Sequence, residues 1–275
     1  MKTISDEQLR EVIRQHILWT SSGEQQGRRA DLSDTKLAKA DLSGTDLHKA
    51  RMQQADLMKA NLSEADLKGA NLREADLREA DLRGTNLAGA NLRNAILNGT
   101  NLTGADLSSA KLTDAELREA KLRKANLTEA DMGGANLTDA HLHEARLVKV
   151  VLAEADLRQA RLHKAHLTEA DLRGARLQGA DFTGAFLTGC TLRGASLQMA
   201  MLVGANLTGA DLTDADLTGA NLSNAKLNNA DLTRANLTGV ILTGADMTGC
   251  KGTKSAQGLE SSKKMITIQS TREFR

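Results

Sequence analysis

From Ala30 to Cys250 the chain repeats a five-residue phrase without insertion or deletion: a small residue, a polar residue, leucine, then two variable residues. Every residue numbered 5k+2 from Leu32 to Met247 is Leu except Met52, Met132, Phe182 and Met247, and nearly every residue numbered 5k is Ala. An α-helix turns about 100° per residue, so leucines five apart would smear around it and form no stripe. In extended backbone, residues two apart share a face. Ala at 5k and Leu at 5k+2 then point inward, and the Asp or Asn between them points outward. Two residues are left for a corner, and most glycines, among them Gly44, Gly69, Gly104, Gly184, Gly209 and Gly244, stand at 5k+4, where a positive φ is cheapest.

Four such sides closing one coil make a spatial repeat of 20 residues, with successive coils paired as parallel strands about 4.8 Å apart. The stretch then holds about eleven coils in a rod on the order of 50 Å long. Three sides leave too little room for the leucines, and five or more leave a void. Early corners carry Lys39, Lys49, Lys59, Glu64, Glu74 and Glu79, whereas most 5k+4 positions from Gly174 to Gly249 are Gly. This contrast predicts type II corners concentrated in the C-terminal half.

Phrases such as Ala70-Asn71-Leu72-Arg73-Glu74 and Ala205-Asn206-Leu207-Thr208-Gly209 carry a family resemblance: the chain resembles a pentapeptide-repeat protein over residues 30 to about 250. The resemblance implies an all-β solenoid, a right-handed quadrilateral parallel β-helix. Some quinolone-resistance members of that family look like duplex DNA and bind type II topoisomerases (gyrase), which the resemblance implies as an alternative function. This chain departs from them: no side is strongly acidic, no projecting loop interrupts the repeat, and the tail carries no clear dimerising helix.

The net charge is +1, from 36 basic and 35 acidic residues, so there is no bulk attraction to nucleic acid or anionic membrane. The N-terminal MKTISDEQLREV has no apolar h-region, and no apolar stretch approaches the roughly 20 residues of a membrane span. A cytoplasmic, bacterial protein is the expectation. Residues 1–29 read as a cap: Ser5 and Gln8 form a capping-box pair, and Leu9, Val12, Ile13, His16 and Ile17 share one face of a helix over 5–20. Residues 30–250 form the solenoid and 251–275 a tail, in which Met265-Ile266-Thr267-Ile268 is a strand-like run. The alternatives for that run are to cap the last coil, to swap into a neighbour or to hang loose, and edge pairing through that end would give a homodimer.

Positions 20 apart stack in one column, which exposes a candidate partner-binding band. Lys121, Arg123 and Lys124 lie beneath His141 and His143, which lie beneath Arg161, His163 and Lys164; Arg146, Lys149 and His166 join from the adjacent side. The plain alternative is a solvated face part-neutralised by Glu129 and Glu144. His143 and His163 share a column with side chains roughly 5 Å apart, but no carboxylate or Cys completes a metal shell, so no metal is expected. Phe186, Met199, Met201 and Val203 form a candidate apolar contact in place of polar residues, whereas Ile96, Val151 and Ile241 are isolated. Cys190 and Cys250 occupy inward 5k positions and read as small buried hydrophobes.

General acid and base work needs a cleft, which a filled prism lacks, and no phosphate loop or zinc spacing occurs. The outward Asp and Asn residues recur as a ladder that satisfies backbone groups. The sequence therefore predicts a non-enzymatic rigid scaffold for protein–protein interaction. No cofactor, small-molecule substrate or membrane is expected, and the band lacks the interleaved aromatics of a nucleic-acid surface.

Overall fold

The structure, a computed structural model, describes residues 1–259 of the 275. Its repeat closes every 20 residues. Each outward 5k+1 residue pairs in parallel with its counterpart one coil on, from Asp31 with Arg51 to Asp231 with Lys251. The last pairing, Asn236 with Gln257, is one residue longer and marks where the phrase breaks. The four-sided expectation is therefore correct.

Each quintet disposes of its five backbone N–H groups in a fixed way. In the quintet around Leu92, Asn91 donates back to Ala70 at 2.9 Å, Leu92 donates forward to Lys111 at 2.7 Å, Asn94 donates forward to Thr113 at 3.1 Å, and Ala95 closes the turn onto Leu92 at 3.0 Å. Only the 5k+3 donor lacks a backbone partner. The outward Asp or Asn supplies it: the Oδ1 of Asp41 accepts from Ser43 N–H at 3.1 Å and that of Asp156 accepts from Arg158 N–H at 3.2 Å, a motif that recurs along the rod. Asn side chains also bond across coils, as Asn126 Nδ2 donates to Asp106 Oδ1 at 2.9 Å. Where the outward residue is Asp or Asn this arrangement places the whole set of donors in the quintet, and the short sides need no long strands to persist.

The interior is leucyl. Leu residues at 5k+2 are buried along the rod, as are the Ala residues at 5k apart from the partly buried Ala40, with Phe182 the largest side chain fully enclosed. Each enclosed leucine contributes about 1.5–3 kcal/mol relative to exposure. At two of the places where Thr replaces Ala the hydroxyl bonds the preceding coil: Thr85 Oγ1 donates to the carbonyl of Leu62 and Thr100 Oγ1 to that of Leu77, both at 2.7 Å, whereas Thr45 Oγ1 donates to Leu42 in its own turn.

The corners overturn one expectation. From Asp34 to Gly249 every 5k+4 residue has positive φ, whether Lys39 at 63°, Glu79 at 56° or Gly209 at 67°. Type II-like corners are uniform and not concentrated in the C-terminal half. Four surrounding hydrogen bonds per quintet outweigh the steric cost of a side chain in the left-handed region.

At the N-terminus, β1 (Lys2–Thr3) pairs in parallel with β2 (Thr35–Lys36), a short side of the first coil. Between them α1 (Asp6–Ser21) starts at Ser5, whose side chain accepts from Gln8 N–H at 3.2 Å while Gln8 Oε1 accepts from Ser5 N–H at 2.9 Å. Leu9 and His16 are buried, and Ile4, Val12 and Ile13 pack on the core. Ile17 departs from the expected face, being 47% exposed. Its neighbour His16 takes the inner place because its ring stacks on Trp19 at 5.5 Å and its Nδ1 accepts from Ala30 N–H at 3.1 Å. The run Met265–Ile268 lies outside the described residues.

Candidate functional site

The basic band and the apolar patch, read separately in the sequence, meet in the structure. Phe186 stacks on His166 with ring centroids 4.6 Å apart and planes 15° from parallel. Both line a shallow depression of about 620 Å³ at the corner between two sides, together with Lys124, Glu144, Arg146 and Lys164. Met201 is 44% exposed, Phe186 43% and Met199 69%, while Val203 is half-buried. Met199 occupies a corner with φ 58°.

Charge in the band is unevenly spent. Arg123 and Lys124 both approach Glu144, at 3.9 and 3.6 Å, and Lys149 faces Glu169 at 3.6 Å. Among the described residues no ion pair engages Lys121, Arg146, Arg161 or Lys164, although Arg158 and Arg173 each clasp the Asp two residues before them. Four cations therefore face outward with nothing of their own to neutralise them.

His141 and His143 lie edge to face at 6.2 Å, and His143 and His163 at 6.3 Å, wider than the separation expected from register alone. Burial lowers the pKa of His141 below the ordinary histidine value, with Arg161 and Lys121 adding to the effect. Burial likewise lowers His143, with His141 and His163 adding repulsion. His141 and His143 therefore take up a proton less readily on acidification than an ordinary histidine. The three rings do not bring ligating atoms together.

One feature of this face was legible in the sequence but missed there. The outward Asp or Asn that accepts the 5k+3 N–H is replaced at scattered places, but runs of three coils occur in only two of the four columns. One is Lys121, His141 and Arg161; the other is Arg146, His166 and Phe186. These columns are on adjacent sides and overlap in height. The fold gives up its ladder over one continuous patch, and that patch holds the free cations and the stacked ring pair.

A second cluster sits beneath α1. Thr20 Oγ1 donates to Asp46 Oδ2 at 2.9 Å, and His48 Nδ1 lies 2.8 Å from Asp46 Oδ1. Asp46, His48 and Asp66 offer ligand atoms within 4.8 Å of one another. These groups are already occupied: Asp66 Oδ1 accepts from Asn86 Nδ2 at 3.0 Å and from Lys68 N–H at 2.9 Å, and Trp19 closes over His48 at 6.2 Å. The arrangement latches the helix to the coil below it.

Neither cysteine is disposed to react. Burial pushes the Cys190 thiol up to about 12 and that of Cys250 up to about 11. Both are free thiols, and Cys250, half-buried rather than buried as expected, donates to the carbonyl of Leu227.

The family model for pentapeptide repeats matches in successive segments from residue 28 to residue 251. This chain belongs to the pentapeptide repeat family. It is similar to HetL, a pentapeptide repeat protein involved in heterocyst differentiation regulation from the cyanobacterium Nostoc: 33% identical, covering 92% of this chain and 96% of that one, TM-score 0.34. It is also similar to a trypsin-treated form of QnrB1, a plasmid-mediated fluoroquinolone resistance protein, at 19% identity over 85% of this chain and 92% of that one, TM-score 0.35. A pentapeptide repeat protein from the Arabidopsis thaliana thylakoid lumen is 33% identical over 37% of this chain and 67% of its own, TM-score 0.26. No curated protein sequence matches. No helix among the described residues is long and apolar enough to cross a membrane.

Proposed function

We propose that the protein is a rigid, non-enzymatic scaffold that docks a protein partner on the band between Lys121 and His166. The observation that supports this reading is the paired loss of the Asp/Asn ladder in two adjacent columns, which replaces a structural device with unpaired cations. An enclosed leucyl interior leaves no cleft for catalysis, so chemistry on this rod is confined to recognition.

We further propose a rod of about eleven coils from the 20-residue repeat, right-handed as the family resemblance implies, a cytoplasmic setting in a bacterium, and a homodimer formed through the C-terminal end. The capping role of residues 1–29 rests on α1 and β1 covering the first coil. Affinity capture tests the scaffold with wild type against Lys121→Glu, Arg123→Glu, Arg161→Glu and Lys164→Glu combined. Loss of one discrete partner from the charge-reversed bait supports the assignment; an identical partner list refutes it.

A further inference from the structure

We infer that the depression between Lys124 and Phe186 seats an extended acidic peptide that places an aromatic or large aliphatic side chain on Phe186. The inference rests on the scaffold reading and narrows its partner to one chemistry. Its cationic end is formed by Arg146 and Lys164, which no ion pair engages among the described residues. Its apolar end is formed by Phe186, left 43% exposed and held flat against His166. Lys164 lies one coil and Arg146 two coils below Phe186 at the same corner, so one ligand can touch both ends.

Dimensions fix the ligand's form. The lining runs from the coil of Lys124 through those of Glu144 and Lys164 to Phe186 on the adjacent side. From Arg146 to Phe186 is two coil steps, roughly 10 Å, which about three residues of extended chain cover. A matching segment carries acidic side chains within about three residues of its apolar anchor. Glu144 stands within the lining and weakens the field for a uniformly charged polyanion, which favours a peptide with spaced carboxylates over nucleic acid. Phe186, the single exposed Phe or Trp in the lining, offers one stacking place, where single-stranded nucleic acid uses a series. The stacked ring pair presents a pre-formed flat surface, so little order is lost on docking.

The test uses the full chain and three fluorescent probes: a nonapeptide with two or three glutamates within about three residues of one phenylalanine, the same peptide with serine for phenylalanine, and a single-stranded oligonucleotide of equal charge. The two peptides are made in both chain directions. The phenylalanine peptide in one direction is expected to bind about tenfold tighter than its serine counterpart. Phe186→Ala is expected to erase that difference and Arg146→Glu with Lys164→Glu to abolish binding, while Arg118→Glu on the opposite side changes nothing. Circular dichroism of each variant establishes that the solenoid is intact. Equal binding of both peptides, an unaltered affinity in Phe186→Ala, or tighter binding of the oligonucleotide each overturns the inference. If peptides fail while partner capture remains sensitive to charge reversal, only this inference falls; if capture is also insensitive, the scaffold reading falls with it.

Discussion

The corners of the early coils and those of the late coils are built from opposite materials and have the same shape. Lys39, Lys49 and Lys59 turn with φ of 63°, 57° and 60°; Gly184, Gly194 and Gly204 turn with 65°, 66° and 63°. Local preference differs sharply between these residue types, because a β-carbon is crowded at positive φ and glycine has none. Identical geometry means that the backbone is dictated by its neighbours above and below. The early coils carry more of this conformational strain than the late coils, where Met199, Asp214, Asn224, Asn229 and Arg234 still turn at positive φ, and they gain in exchange long charged side chains on their outer edges.

The largest effect that probes this comparison is interior truncation. Leu77→Ala in the early coils and Leu192→Ala in the late coils should each destabilise by about 2–5 kcal/mol in urea titration, because both are fully buried in the same lining. A late-coil loss several-fold smaller would show that glycine corners let the wall relax inward, and the two halves would no longer count as one continuous core.

Acidification should come next. His16, His141 and His143 have folded-state pKa values lowered first by burial. The unfolded chain therefore binds protons more readily. Their contribution is intact above about pH 6.5 and declines as pH falls below it. The melting temperature should drop by roughly 2–4 °C between pH 8 and pH 5, and an unchanged value counts against the burial of these rings. The double change His141→Asn and His143→Asn should flatten the response while leaving the share due to His16.

Corner exchanges sharpen the comparison most directly. Gly209→Ala meets nothing within 4 Å, yet keeps a φ of 67°, so it should cost about 1 kcal/mol from backbone strain alone. Lys39→Gly should recover up to about 1 kcal/mol offset by the added freedom of the unfolded chain. Calorimetry showing no change in either would mean that the stacked coils suppress local preference completely. At the small end, Lys149→Ala removes a 3.6 Å exposed pair with Glu169 and should shift stability by less than about 0.5 kcal/mol.

The wall, its lining and its period were legible because one leucine every five residues has a single geometric solution. The corner uniformity was not, since residue preference at Lys39 or Glu79 points away from the conformation that inter-coil bonding imposes. The N-terminal latch was also hidden. Thr20 meets Asp46, and His16 stacks on Trp19 near His48, across separations that follow no repeat. Two residues of β1 are too few to leave a pattern. For the candidate site, the cations and the apolar residues were each visible in the columns. Their junction was equally legible, since His166 and Phe186 stand 20 residues apart in one column; what the sequence does not carry is the stacked orientation of the two rings.

The 20-residue pairing rule also governs how such a molecule can change length. Duplicating or deleting a whole turn slides everything above it along the axis and leaves each side aligned. Losing a single quintet between Arg161 and Phe186 would instead rotate all later sides by a quarter turn, carrying the aromatic platform around the edge from its cations while the lining remained filled. Length variation on this rod is thus a compass setting, and only steps of one full circuit preserve a composite surface.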